Sequence, residues 1–285
     1  MQRPVPPPSG LSSSGPSSSA PSPAPVHLVA GGSSGIGAAV AEQAAASGAR
    51  VAVCGRRGDA LRKVADGCGA TAYVADVTDR AQVEELVAAV VRDHGRLDGV
   101  VANAGVMRPG GVLDLTDEDW DATLRTNLTS VFLLARAALP HLIDSKGSFV
   151  TVGSIAGLRA SGGMAAYAAS KAGAAMLTTT LAAEFGPRGV RANTVCPGWT
   201  RTEMADEEMR EFGEPLGLGV QESYAEVTAL VPQRRPAEPR EIADAVLWLL
   251  GPHSSYVNGT TLTADGGTTI VDPGAVPFDF RLSER

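Results

Sequence analysis

Cysteine is scarce in this sequence. Cys54, Cys68 and Cys196 are odd in number and far apart, which excludes a disulfide framework and the paired spacings of a thiolate metal site. The expected setting is a reducing cytoplasm. The four histidines, His27, His94, His141 and His253, are scattered without a metal-binding pair, so no metal site is expected. No apolar run is long enough to span a bilayer, and basic excess is missing: the formal net charge is −7. Broad binding to nucleic acid or to an anionic membrane is therefore not expected.

What is present is a globular balance, 44% hydrophobic and 19% charged over 285 residues. Residues 1–25 stand apart, being almost wholly Pro, Ser and Gly; such a segment buries too little apolar surface to offset its own ordering, so a disordered tail is expected. From Val26 onward short β-branched runs alternate with amphipathic helical patterns. Strands are expected at 26–30, 50–54, 71–75, 98–102, 147–153, 190–195 and 260–264. Several are apolar throughout, as strands covered on both faces should be. Thr116 followed by Asp119 predicts a helix start. The alternation predicts an α/β, doubly wound, seven-stranded parallel sheet in one Rossmann-like domain spanning 26–270. An extended tail is expected over 271–285. Ligands of such sheets bind beyond the carboxyl ends of the strands, so residues just after strands carry the information.

The first such segment is "VAGGSSGIG". Gly31 allows a tight turn, Gly35 a close backbone approach to a pyrophosphate, and Gly37 close contact between helix and strand. The anion would rest on the free N–H groups at the helix start. After the second strand, Gly55 stands where an acid would hydrogen-bond the ribose of NAD, and Arg56 and Arg57 follow. Guanidinium groups pair with a 2′-phosphate, which a carboxylate repels, so NADP(H) is favoured, with NAD(H) the alternative.

Later, "YAASK" sets Tyr167 and Lys171 one helical turn apart on one face. An isolated pair of this kind is ordinary; beside a cofactor it is an acid and the ammonium that lowers its pKa. Ser154, at the end of a strand, could polarise a substrate carbonyl. Asn127 sits mid-helix although it is a poor helix former.

Taken together, "GGSSGIG", "ANAG", "TNLTS", "GSIAG", "YAASK" and "CPGWTRT", in that order, resemble the short-chain dehydrogenase/reductase family over essentially the whole domain. Two positions depart from that family's pattern: Ala30 replaces a threonine, and "ANAG" retains only Asn103 of a paired asparagine motif. Both touch structural hydrogen bonds rather than the chemistry.

The resemblance implies a nicotinamide-dependent oxidoreductase with Asn127, Ser154, Tyr167 and Lys171 as its catalytic group, Asn127 anchoring a water that relays protons to the lysine. It further implies cofactor contacts at Ser33, Ser34, Ile36, Asp76, Val77, Asn103, Ala104, Gly105, Pro197, Gly198, Thr200 and Thr202. Assembly as a homotetramer or homodimer, packed through the long helices after strands four and five, is implied too.

The segment 201–235 is longer than a minimal connection and reads as a lid, with Gly213, Gly217 and Gly219 as candidate hinges. Met107, Ile155, Met164 and Trp199 are candidates for an apolar substrate wall, Trp199 equally for the core. The expected reaction is NADPH-dependent reduction of a medium-to-large ketone, a 3-oxoacyl, polyketide or steroid-like compound, to a secondary alcohol. Two alternatives remain open: an NAD-dependent alcohol dehydrogenase, and a cofactor-binding sensor or scaffold without turnover.

Overall fold

The computed structural model describes residues 23–272 and 274. The tails expected over 1–25 and 271–285 lie outside the described residues, apart from 23–25, 271, 272 and 274. Seven strands alternate with helices: β1 (Val26–Ala30), α1 (Gly35–Ala46), β2 (Arg50–Gly55), α2 (Gly58–Cys68), β3 (Thr71–Val74), α3 (Arg80–His94) and β4 (Gly99–Ala102) form the first half. The second half is α4 (Asp117–Leu124), α5 (Ser130–Ser145), β5 (Ser148–Val152), α6 (Ala165–Phe185), β6 (Arg191–Pro197), α7 (Glu203–Gly213), α8 (Val220–Val227), α9 (Pro239–Leu250) and β7 (Thr261–Ala264). All seven strands are parallel in the order β3-β2-β1-β4-β5-β6-β7, so the expected doubly wound sheet is present. The strand order reverses between β1 and β4.

The continuous apolar runs divide by residue parity, as strand geometry requires. Leu28, Val100 and Phe149 are in register across β1, β4 and β5 and pack with Val83, Leu134 and Leu142 on one face. Their neighbours Val29, Val101 and Val150 are in register on the other, against Val40, Leu61, Ile242 and Leu249. Both faces are therefore sealed, and the exposed ends of the strands are where a ligand can reach the backbone.

Helix starts follow local chemistry. Asp79 accepts from the Gln82 N–H at 3.0 Å to cap α3, and Thr116 accepts from the Asp119 N–H at 3.1 Å to cap α4. The alanine-rich helix α6 begins at Ala165, because Gly163 turns the chain with φ +75°.

The segment 201–235 contains its own small core. Ala205, Met209 and Tyr224 are buried together with Trp199, Val220 and Val227 against them, and Tyr224 donates to Asp206 at 2.9 Å. Of its three glycines, only Gly217 has a positive φ, 68°. Gly213 has no room for a Cβ beside Ser223 and Leu218, so it serves as a packing position between α7 and α8 rather than a hinge.

Candidate active site

At the switch between β1 and β4 lies a cavity of about 630 Å³. The residues named from the sequence line it, except Gly37 and Asn127, which stand behind it.

One end is the glycine turn. Gly31 has φ +78°, and a Cβ there would sit 2.7 Å from the Ala104 backbone nitrogen. A Cβ on Gly37 would overlap the Gly31 carbonyl oxygen and press on the Asn103 amide nitrogen at 2.6 Å. Gly35, φ +55°, opens α1 and faces Thr202. Asn103 ties this turn to the end of β4: its Nδ2 donates to the Gly31 carbonyl at 2.9 Å. Ala30 has no side-chain donor of its own, and its carbonyl accepts from the Asn103 N–H at 3.1 Å. The turn is a cradle that side chains would fill, with helix N–H groups beyond it, and it fits a dinucleotide pyrophosphate.

Past β3, Asp76 closes a turn by accepting from the Thr78 N–H at 2.9 Å and its hydroxyl at 2.8 Å. Val77 is buried behind it. Past β2, Arg57 is already engaged. Its Nη1 donates to Glu203 at 2.7 Å, and its Nη2 to Ser34 at 2.6 Å and Ser33 at 3.2 Å. Arg56, by contrast, makes no ion pair among the described residues.

Ser154, Tyr167 and Lys171 line the cavity beyond β5 and along α6. Ser154 follows β5 in extended backbone, accepts from the Ala156 N–H at 3.1 Å, and directs its hydroxyl at the Tyr167 phenol. Lys171 is buried; its Nζ donates to the Val152 carbonyl at 2.9 Å and lies 5.7 Å from the centre of the Tyr167 ring. Burial lowers the Lys171 pKa to about 8, with the Cys196 thiol opposing. Burial also raises the Tyr167 pKa; the Ser154 hydroxyl pulls it down, while Glu208 and Cys196 push it up. Lys171 is expected from the sequence to lower it, but burial of the phenol dominates.

Asn127 occupies a π-helical turn, residues Arg125–Thr129, between α4 and α5, which accounts for a poor helix former at that point. Its Oδ1 accepts from the Val106 N–H at 2.8 Å, and its Nδ2 donates to the Val106 carbonyl at 2.9 Å and to Ser170 at 3.1 Å. Asn127 Oδ1 and Lys171 Nζ each stand 3.4 Å from the point where a Gly105 Cβ would be. Gly105 thus leaves the space between cavity, lysine and asparagine open.

Pro197 and Gly198 end β6, where a Cβ on Gly198 would press on Asp265 at 2.9 Å. Thr200 donates to the Gly198 carbonyl at 3.1 Å, and Thr202 caps α7 by accepting from the Ala205 N–H at 3.2 Å. Met107, Ile155, Met164 and Trp199 line the cavity, and Trp199 also packs against the small core of Ala205, Met209 and Tyr224.

Sequence reading missed Glu203, Met204 and Glu208 on the lid, Arg159 after β5, and Cys196 beneath the serine. Only the helical spacing of Met204 and Glu208, four apart, hinted at a shared face. Glu208 is a half-buried carboxylate whose pKa rises to about 7 through burial and the nearby Glu211.

The chain is similar to known proteins over most of its length. The family model described as "Enoyl-(Acyl carrier protein) reductase" matches residues 30–269. Protein MoaE of Klebsiella aerogenes is 41% identical over 255 residues, covering 89% of this chain and 98% of that protein. The 3-oxoacyl-[acyl-carrier-protein] reductase FabG of Thermotoga maritima is 37% identical, covering 86% and 98%. A crystal structure of an actinorhodin polyketide ketoreductase variant with NADPH superposes with a TM-score of 0.82 at 34% identity, covering 86% of this chain and 97% of that one. The sheet order, the glycine cradle and these matches agree, and the chain belongs to the short-chain dehydrogenase/reductase family of oxidoreductases.

Proposed function

We propose that this chain reduces a ketone to a secondary alcohol with NADPH, Tyr167 delivering the proton. The observation that carries the reading is the convergence of Ser154, Tyr167 and Lys171 at one end of a cavity whose other end is the glycine cradle. Gly31, Gly35 and the start of α1 would hold the pyrophosphate, Asp76 and Val77 would lie at the adenine, Arg56 and Arg57 at the 2′-phosphate, and Thr200 and Thr202 at the carboxamide. Bound there, the cofactor supplies a hydride to the carbonyl carbon.

The chain's own groups manage the oxygen. The Ser154 hydroxyl donates to the substrate carbonyl and holds it against the Tyr167 phenol. As the carbonyl electron pair moves onto oxygen, that oxygen takes the phenolic proton. A Tyr167 pKa held above its ordinary value keeps the proton on the phenol at neutral pH, the form reduction needs. Lys171 would hold the ribose hydroxyls of the bound cofactor, and its ammonium stabilises the phenolate left behind. Asn127, backing on Gly105, holds the route by which the proton is restored.

The apolar wall of Met107, Ile155, Met164 and Trp199 suits a medium-to-large ketone, such as a 3-oxoacyl or polyketide compound. The named activities of the Thermotoga maritima reductase and the actinorhodin ketoreductase support that class. Phe132 on α5 and Met176 on α6, 44% and 66% exposed, support assembly through these long helices.

The test is a ketone panel (3-oxoacyl thioesters, cyclic diketones, steroid ketones) followed by NADPH absorbance. Saturable turnover of a bulky ketone is expected. The pairing of Arg57 with Glu203 favours a second reading, an NAD-dependent alcohol dehydrogenase. Oxidation of secondary alcohols with NAD, without ketone reduction by NADPH, would establish that reading instead.

A further inference from the structure

The acid missing from the end of β2 is supplied from elsewhere in the chain. Glu203, the first residue of α7, reaches back to Arg57 and also bonds the Ser34 hydroxyl. Arg57 in turn holds Ser33 and Ser34 on the glycine turn. One carboxylate, one guanidinium and two hydroxyls thus form a closed network at the adenosine end of the cavity, and all four residues line it.

We infer that Glu203 is a cofactor-discriminating residue, a built-in carboxylate that competes with the 2′-phosphate of NADPH for Arg57. This rests on the reading of Arg57 as a 2′-phosphate ligand. The guanidinium offers its donors in a fixed fork. With Nη1 on Glu203 and Nη2 on the serines, a phosphate can take the Nη1/Nη2 edge of Arg57 bidentately only by displacing the carboxylate. Glu203 would then stand unpaired near a phosphate carrying close to two negative charges, an unfavourable like-charge contact. NADH, with a neutral 2′-hydroxyl, leaves the pair intact. Arg56, whose charge is felt at Asp76, remains for the phosphate. The preference for NADPH is therefore weaker than two free arginines would give.

The ion pair is surface-exposed at both ends, 55% and 66%. Exposed pairs of this kind are worth little on their own, which makes the competition one of severalfold rather than hundredfold.

The network also joins the lid to the glycine turn, since Glu203 opens α7 directly after Thr202. Displacing the carboxylate with a 2′-phosphate removes a tether from the first turn of α7, whereas NADH retains it.

The experiment is a set of fluorescence titrations giving Kd for NADPH and NADH, at low and high salt, for the wild type, E203Q, R57A and the double variant. E203Q keeps side-chain hydrogen bonding at an exposed position, and thermal melting verifies its fold. It is expected to tighten NADPH about three- to tenfold and to change NADH less than twofold, with the gain shrinking at high salt. R57A is expected to weaken NADPH about tenfold at unchanged NADH affinity, and in its background E203Q should lose most of its effect.

If R57A lowers the NADPH preference while E203Q leaves the ratio of the two Kd values unchanged, the role of Glu203 is refuted and that of Arg57 stands. If R57A leaves the ratio unchanged, the reading of Arg57 itself falls. An E203Q gain that survives in full in the R57A background overturns competition through the guanidinium.

Discussion

Lys171 is expected to lower the stability of the protein that needs it. Its ammonium is buried, has no carboxylate partner among the described residues, and donates to the Val152 carbonyl at 2.9 Å. Desolvation brings its pKa from 10.5 to about 8. A shift of that size corresponds to about 3 kcal/mol against the charged form in the fold. Below pH 8 the group is charged in both folded and unfolded states, so the folded state bears the full cost. Between pH 8 and 10.5 the unfolded state binds more protons, and stability rises with pH. Above that range the cost is gone.

Lys171→Met removes the charge and retains the stem. The lost hydrogen bond to Val152 costs about 1 kcal/mol, leaving a net gain of about 2 kcal/mol at pH 7, or roughly 5 °C in Tm for a domain of this size. At pH 10 the gain should nearly vanish. The assay is denaturant unfolding of wild type and K171M at both pH values, with turnover measured in parallel. The variant should be more stable at pH 7 and inactive. A variant less stable than wild type at pH 7, or a difference that does not change by pH 10, would refute the argument from desolvation.

Other outcomes follow from the same geometry. Gly37→Ala forces a Cβ into the Gly31 carbonyl and the Asn103 amide, and should cost about 2 kcal/mol or more while abolishing cofactor binding, read by thermal melting and titration. Glu208→Gln removes a negative charge that raises the Tyr167 pKa. The high-pH limb of ketone reduction should then move down by a few tenths of a pH unit, measured as kcat against pH; an upward move would contradict the assignment.

The fold was legible because its signals are local. Runs such as "VHLVA" and "DGVVA" declare buried parallel strands, and every expected strand lies within two residues of an observed one. The site was legible where a backbone requirement restricts the residue type: glycine at Gly31 and Gly37, where no Cβ fits, and a helix face carrying Tyr167 and Lys171. What stayed hidden depends on contacts between distant segments. Glu203 meets Arg57 across 146 positions, and nothing in either local sequence marks the partner. Gly213 looked like a hinge because glycine also serves close packing, and only α8 laid against α7 distinguishes the two. The Tyr167 pKa depends on how deeply the phenol is buried, which spacing on a helix does not reveal.

The central claim is that Tyr167 is the proton donor of a ketone reduction at this cavity. Its most direct test is Tyr167→Phe, assayed for NADPH-dependent reduction of a ketone the wild type accepts, with NADPH affinity measured on the same preparation. The account expects turnover to fall at least a thousandfold while Kd for NADPH changes less than threefold. Retained turnover in a correctly folded Y167F would contradict it.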